Sequence, residues 1–331
     1  MSLTTGAGGP SRRGEDLDPR IREFVEAMGA AWARHPGFAA APPPEARRIA
    51  DVVRAPWARG GPAMAETTEL RVPCDRGEVR VRCHDPGPAG IKPAIVYLHG
   101  GGWTLFSLDT HDRVMRELAA RAGAVVVGVD YALSPEAKYP VALDQVCAVL
   151  RYVAERGRDL GVDPKRVTVA GDSAGGNLSV AACLRLRDAG DPALPSGMAL
   201  FYGVFDRRSS PEAAARFGGP GYMLAADEME QFWRNYLTKE SEAEDPCVSP
   251  LRADLRGLPP ALLVVPACDL LTEQSVRMAE RLLEAGVDVR CALYEGASHS
   301  FLEAVSISPL ADRALTDAAA WIRSVLAVPN R

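Results

Sequence analysis

The sequence predicts an α/β protein whose central sheet is mostly parallel and covered by helices on both faces. Three observations carry this. Six short apolar runs recur from residue 94 onward, at 95–98, 125–129, 167–170, 199–202, 262–265 and 291–294. Helical periods separate them, at 111–121, 142–155, 176–188, 274–285 and 311–327. The runs are apolar throughout rather than alternating, as strands buried on both faces require.

The elements follow in order. Residues 1–18 are expected to form a flexible tail, because their opening stretch of Gly, Ser, Thr and Arg buries too little surface to offset the entropy of ordering. Residues 19–60 predict two amphipathic helices, one carrying Ile21, Phe24, Val25, Met28 and Trp32, the other Ile49, Val52 and Val53 beyond the proline-rich break at 42–44. Residues 70–72 and 79–83, parted by Asp75-Arg76-Gly77, read as a hairpin. The main domain then occupies 61–331. One interval breaks its rhythm: about sixty residues separate the run ending at Tyr202 from the next. Residues 205–245 are therefore expected to be an inserted cap.

Composition excludes several classes of function. The 331 residues are 47% hydrophobic and 24% charged, a globular composition. Thirty-eight basic against 43 acidic residues give a net charge of −5, so no positive field invites nucleic acid. No apolar run reaches the roughly 18 residues that span a bilayer, and the amino terminus has no apolar segment behind its arginines. A cytoplasmic protein is expected. The seven cysteines form no Cys-x-x-Cys pair and no cluster with histidine, which argues against a zinc site or a disulfide framework and for reduced core residues. No metal and no organic cofactor is expected.

The chemistry concentrates in a few strings. The apolar run 167–170 leads into Gly171-Asp172-Ser173-Ala174-Gly175 and then a helix. Between strand and helix, Gly-x-Ser-x-Gly forms a strained elbow that lifts the serine hydroxyl clear of the sheet. A hydroxyl needs a base to become a nucleophile. Of five histidines, His35, His84 and His111 are expected at the surface, and His99 opens a glycine run; only His299 follows the serine, just beyond a strand. The acid that orients it should lie on a loop between them in chain order. Asp269 does so directly after the run 262–265, ahead of the alternatives Glu273 and Asp288. Backbone amides of Gly101 and Gly102, in His99-Gly100-Gly101-Gly102-Trp103, together with that of Ala174, could receive an oxyanion. Trp103, Phe205, Tyr222, Met223 and Phe232 are the candidate substrate-binding residues.

These strings resemble the hormone-sensitive-lipase-like esterases of the α/β-hydrolase superfamily over roughly residues 20–325. Val129-Asp-Tyr-Ala-Leu-Ser-Pro-Glu136, Gly171–Leu178, Phe232-Trp-Arg-Asn-Tyr-Leu237, Ser249-Pro-Leu and Gly257-Leu-Pro-Pro carry the likeness beyond the two motifs. The resemblance implies an α/β-hydrolase fold with a helical cap and a triad of Ser173, Asp269 and His299. It further implies an oxyanion hole of Gly101, Gly102 and Ala174, and cleavage of short- to medium-chain acyl esters through an acyl-enzyme. Amide deacetylation or the tailoring of secondary metabolites is the alternative within enzymes; a non-catalytic small-molecule receptor is the alternative outside them. A homodimer fits the apolar carboxyl-terminal end. Ala132, Leu270, Gln274 and Ser300 depart from the family's usual arginine, proline, glutamate and glycine.

Overall fold

The structure, a computed structural model, describes residues 16–219 and 221–327. Eight strands form one sheet: β1 (Glu66–Cys74), β2 (Gly77–Asp85), β3 (Lys92–Leu98), β4 (Val125–Asp130), β5 (Val162–Asp172), β6 (Gly197–Phe201), β7 (Ala261–Cys268) and β8 (Val289–Ser298). Their order is β1-β2-β4-β3-β5-β6-β7-β8. β1 pairs with β2, and β2 with β4, antiparallel; every later pairing is parallel. This is the α/β-hydrolase arrangement, a mostly parallel sheet with one antiparallel end.

Successive strand residues feed two cores. Ala94, Val96 and Leu98 of β3 join one cluster, with Val125, Val127 and Val129 of β4. Ile95 and Tyr97 join the other, with Val126. Side chains alternate across a strand, so runs apolar at every position are what a sheet covered on both faces demands. The helices α4 (Val141–Arg156), α5 (Ala174–Asp188) and α8 (Thr272–Glu284) bury their apolar stripes on the first face. On the second lie α1 (Pro19–Trp32), α3 (Asp112–Ala122) and α9 (Pro309–Leu326).

Local signals fix the helix starts. Asp18 caps α1 by accepting from the backbone N–H groups of Arg20 and Ile21, with Pro19 pre-set for the first turn. Ser308 and Pro309 do the same for α9. A further helix, α2 (Pro43–Ala58), follows α1. The long connection after β6 holds α6 (Pro211–Phe217) and α7 (Ala226–Tyr236).

Three expectations need correction. Residues 16–18 of the expected tail are fixed: Leu17 is buried and the Asp18 N–H donates to the Gly296 carbonyl at 2.9 Å. The rest of the tail, residues 1–15, lies outside the described residues. The first hairpin is longer than its apolar center, since the start of each strand is exposed and the far end of β2 is polar, so neither gave a signal. β8 is not apolar throughout; as the outermost strand it exposes Arg290, Cys291 and Leu293.

Candidate active site

Four parallel strands deliver the chemistry to one edge of the sheet. At the carboxyl ends of β3, β5, β7 and β8 stand the glycine run, Ser173, Asp269 and His299. A turn at a strand's carboxyl end is where an open α/β sheet exposes side chains to a ligand.

Ser173 occupies the elbow between β5 and α5 with φ 54° and ψ −116°, a conformation that L-residues rarely adopt. The close passage of chain explains the glycine after it: a Cβ on Gly175 would stand 1.9 Å from the Leu98 carbonyl oxygen. Ser173 Oγ lies 3.0 Å from His299 Nε2, and His299 Nδ1 lies 2.8 Å from Asp269 Oδ2. All three residues are buried, and Asp269 also accepts from the Leu271 N–H. The carboxylate thus fixes the imidazole with Nδ1 protonated, leaving Nε2 free to take the serine proton. Glu273 and Asp288 make no contact with His299 among the described residues.

The glycine run faces this serine. Gly101 and Gly102 have φ of 109° and 58°, and a Cβ on Gly102 would stand 2.1 Å from the Phe232 ring, so no larger residue fits under α7. Their N–H groups donate to no acceptor among the described residues. Ala174 begins α5, where an N–H has no intrahelical partner. Three unpaired donors beside the Ser173 hydroxyl can stabilise charge on a carbonyl oxygen.

A buried polar cluster braces the run, and the sequence reading missed it. Asp172, 2% exposed, accepts from Tyr97 Oη at 2.7 Å, the Gly100 N–H at 3.0 Å and His111 Nε2 at 3.3 Å. Burial alone would raise the Asp172 carboxyl and lower His111, but their mutual attraction and hydrogen bond outweigh it, holding Asp172 below and His111 above their ordinary values. His99 is pushed down to about 4 by burial and then by the His111 charge. Neutral His99 donates from Nδ1 to the Gly100 carbonyl at 2.7 Å, and Tyr131 Oη donates to the His99 carbonyl. The expectation that His84 and His111 lie at the surface is overturned: they are 1% and 2% exposed, His84 meeting Thr67 of β1 and Asp112 of α3, and His111 meeting Asp172 and the rings of His99 and Phe106. Tyr97, a polar tip within an apolar strand, was the available signal.

The candidate substrate residues divide. Met223 and Phe232 line the cavity over Ser173, with Trp32, Phe106 and Leu224. Trp103 and Phe205 do not: both have no exposed surface, and Trp103 stacks on Tyr236 with ring centroids 4.2 Å apart. Tyr222 packs edge-on against Phe217, away from the cavity lining. Aromatic identity near a motif gave these residues no direction. The cavity is about 50 Å³, small beside the roughly 300–1,000 Å³ of drug-sized sites. A groove of about 630 Å³ between α2 and α7 shares Glu228 and Phe232 with it.

Two departures from the resemblance have physical accounts. Gln274 Oε1 accepts the Phe205 and Asp206 N–H groups while its amide nitrogen donates to the Arg208 carbonyl, a donation that glutamate could not make. Ser300 holds φ 58°, the left-handed region that glycine adopts without cost.

A sequence profile described as the alpha/beta hydrolase fold matches residues 95–303. The chain belongs to that family. Ethyl acetate hydrolase of Pseudomonas putida is 37% identical over 232 residues, 70% of this chain and 72% of that one. A solved hyperthermophilic esterase from the archaeon Pyrobaculum calidifontis superposes with a TM-score of 0.87 at 33% identity, covering 94% of this chain and 99% of the other. A thermostable carboxylesterase cloned from a metagenomic library gives 0.83 at 37% identity, over 87% and 99%. The resemblance to hormone-sensitive-lipase-like esterases therefore holds, and the chain is an enzyme of the carboxylesterase kind.

Proposed function

We propose that this serine hydrolase cleaves short- to medium-chain acyl esters, with Ser173 as nucleophile, His299 as base and then acid, and Asp269 as the group that orients it. The contact carrying the reading is Ser173 Oγ to His299 Nε2 at 3.0 Å, with Asp269 on the far nitrogen. Ser173 attacks the acyl carbon as His299 takes its proton; the amides of Gly101, Gly102 and Ala174 receive the oxyanion. The imidazolium protonates the leaving alkoxide, and water activated by the same histidine releases the acid. The small cavity and the relatives' printed activities support modest acyl groups.

In this reading α1, α2 and residues 205–245 act together as a cap, since Trp32 and Arg54 meet Met223 and Phe232 around one cavity. Two copies pair through the outer edge of β8, where Leu293 is 44% exposed; solution light scattering reads the mass. No helix among the described residues is long and apolar enough to cross a membrane, and a cytoplasmic location completes the proposal.

The deciding experiment is hydrolysis of p-nitrophenyl acetate by the wild type and by Ser173→Ala. Loss of turnover with an unchanged circular dichroism spectrum is expected; turnover at the wild-type rate would remove Ser173 from the mechanism. Turnover of esters well above matched anilides separates the reading from amide deacetylation.

A further inference from the structure

One side of the cavity over Ser173 is built from charge. Arg54, on α2, lines it together with Glu228 of α7. Arg54 is only 4% exposed and pairs through Nη1 with Glu303, which is 3% exposed and stands four residues beyond His299. Its guanidinium lies 4.3 Å over the Phe106 ring. The pairing leaves one Arg54 donor, Nε, and one Glu303 acceptor, Oε2, buried without a hydrogen-bond partner. A charged guanidinium with an unmatched N–H, more than nine-tenths buried beside a nucleophile, is costly unless something accepts from it.

We infer that Arg54 and Glu228 form a polar subsite for a neutral oxygen acceptor, an ether or carbonyl oxygen, carried by the substrate beside its scissile ester. The inference rests on the ester-hydrolase reading and names its substrate class. Charge decides between acceptors. Glu303 already neutralises Arg54, and Asp172 and Glu228 line the same cavity, so an ionised carboxylate on the substrate gains no net attraction there. A neutral oxygen keeps the Arg54–Glu303 pair intact and accepts from the guanidinium that lines the cavity. Glu228 fits the same class: burial holds its carboxyl above its ordinary value, against the pull of the Ala225 N–H, Arg54 and His299, so the site disfavours a further negative charge beside it.

The test compares isosteric esters on the wild-type enzyme. On the acyl side, p-nitrophenyl pentanoate is matched with 3-methoxypropanoate, and hexanoate with 4-methoxybutanoate. On the alcohol side, butyl acetate is matched with 2-methoxyethyl acetate, and pentyl with 3-methoxypropyl. Each kcat/KM is divided by the rate of alkaline hydrolysis, which removes the inductive effect of the oxygen. In an apolar pocket the ether oxygen loses water for nothing, and the normalised ratio falls below one. With an Arg54 donor in place, at least one pair is expected to favour the ether by about tenfold, the discrimination of a hydrogen bond to a charged group. Arg54→Met is expected to abolish that advantage, read as a ratio so that any general loss of activity cancels. In Glu303→Gln, which leaves the Arg54 charge uncompensated, turnover of a succinate monoester is expected to rise relative to the wild type. Ratios at or below one for every pair on the wild type would overturn the subsite while the alkyl esters still turned over. An enzyme that cleaved none of these esters would instead overturn the ester-hydrolase reading, and the subsite with it.

Discussion

Asp172 Oδ1 accepts the Gly100 backbone N–H at 3.0 Å, so the residue before the serine holds the loop that faces it. The serine and the glycine run, 72 residues apart from carboxylate to amide, are thereby set relative to each other by one carboxylate. In Asp172→Asn, one of the three donors now meets an amide N–H, and the loop relaxes. We expect kcat to fall by about 30-fold, on the order of 2 kcal/mol. KM should change little, and a phosphonate transition-state analogue should lose affinity in step with kcat. Parallel losses in KM and analogue binding would assign Asp172 to substrate binding instead.

The Asp172–His111 pair also sets a pH dependence of stability. His111 is raised above 6.5 in the folded protein, so its contribution is full below 6.5 and is lost as pH rises through the raised value. Asp172 is depressed below 3.8, so its contribution is full above 3.8 and is lost as pH falls through the depressed value. The pair is strongest between those limits. Urea unfolding of wild type and His111→Gln should therefore differ most near pH 5.5 and less near pH 9; a gap that widened with pH would reverse the assignment.

Asp269→Asn keeps the shape of the carboxyl but places a donor or the wrong tautomer against His299 Nδ1. A kcat loss of about ten-thousand-fold is expected, with folding intact by circular dichroism. A loss under about tenfold would mean that the imidazole is oriented by something else.

Ser300 follows the histidine in a left-handed conformation at φ 58°. Ser300→Gly removes the Cβ strain and should stabilise the fold by about 1 kcal/mol, offset in part by the freedom glycine brings to the unfolded chain. Thermal unfolding measures it, and a lower Tm would show that the hydroxyl contributes more than its backbone costs.

The legible parts of this fold are those where local grammar and global demand coincide. Val125, Val126 and Val127 could be read as a covered strand because successive ones are buried on alternate sides of the sheet. Ser173 could be read because its neighbors must be small for the elbow to close against Leu98. Trp103 could not: with φ 58° its ring ends on Tyr236, a partner 133 residues away that nothing nearby announces. The Arg54–Glu303 pair spans 249 residues, and its two members look like ordinary surface charges within their own helical stretches. Burial of a polar residue is a property of what covers it, which is why His84, His111 and Asp172 were hidden from sequence reasoning.

Asp18 donates its N–H to Gly296, and a Cβ there would press on it at 2.7 Å, so the start of α1 is keyed to the strand that ends beside His299. During synthesis the order of arrival runs opposite to this dependence. Ile21, Phe24 and Met28 leave the ribosome long before the turn and strand they rest on. The nascent enzyme therefore carries α1 without that partner until β8 has been made, and its histidine is braced only when these two distant segments have met.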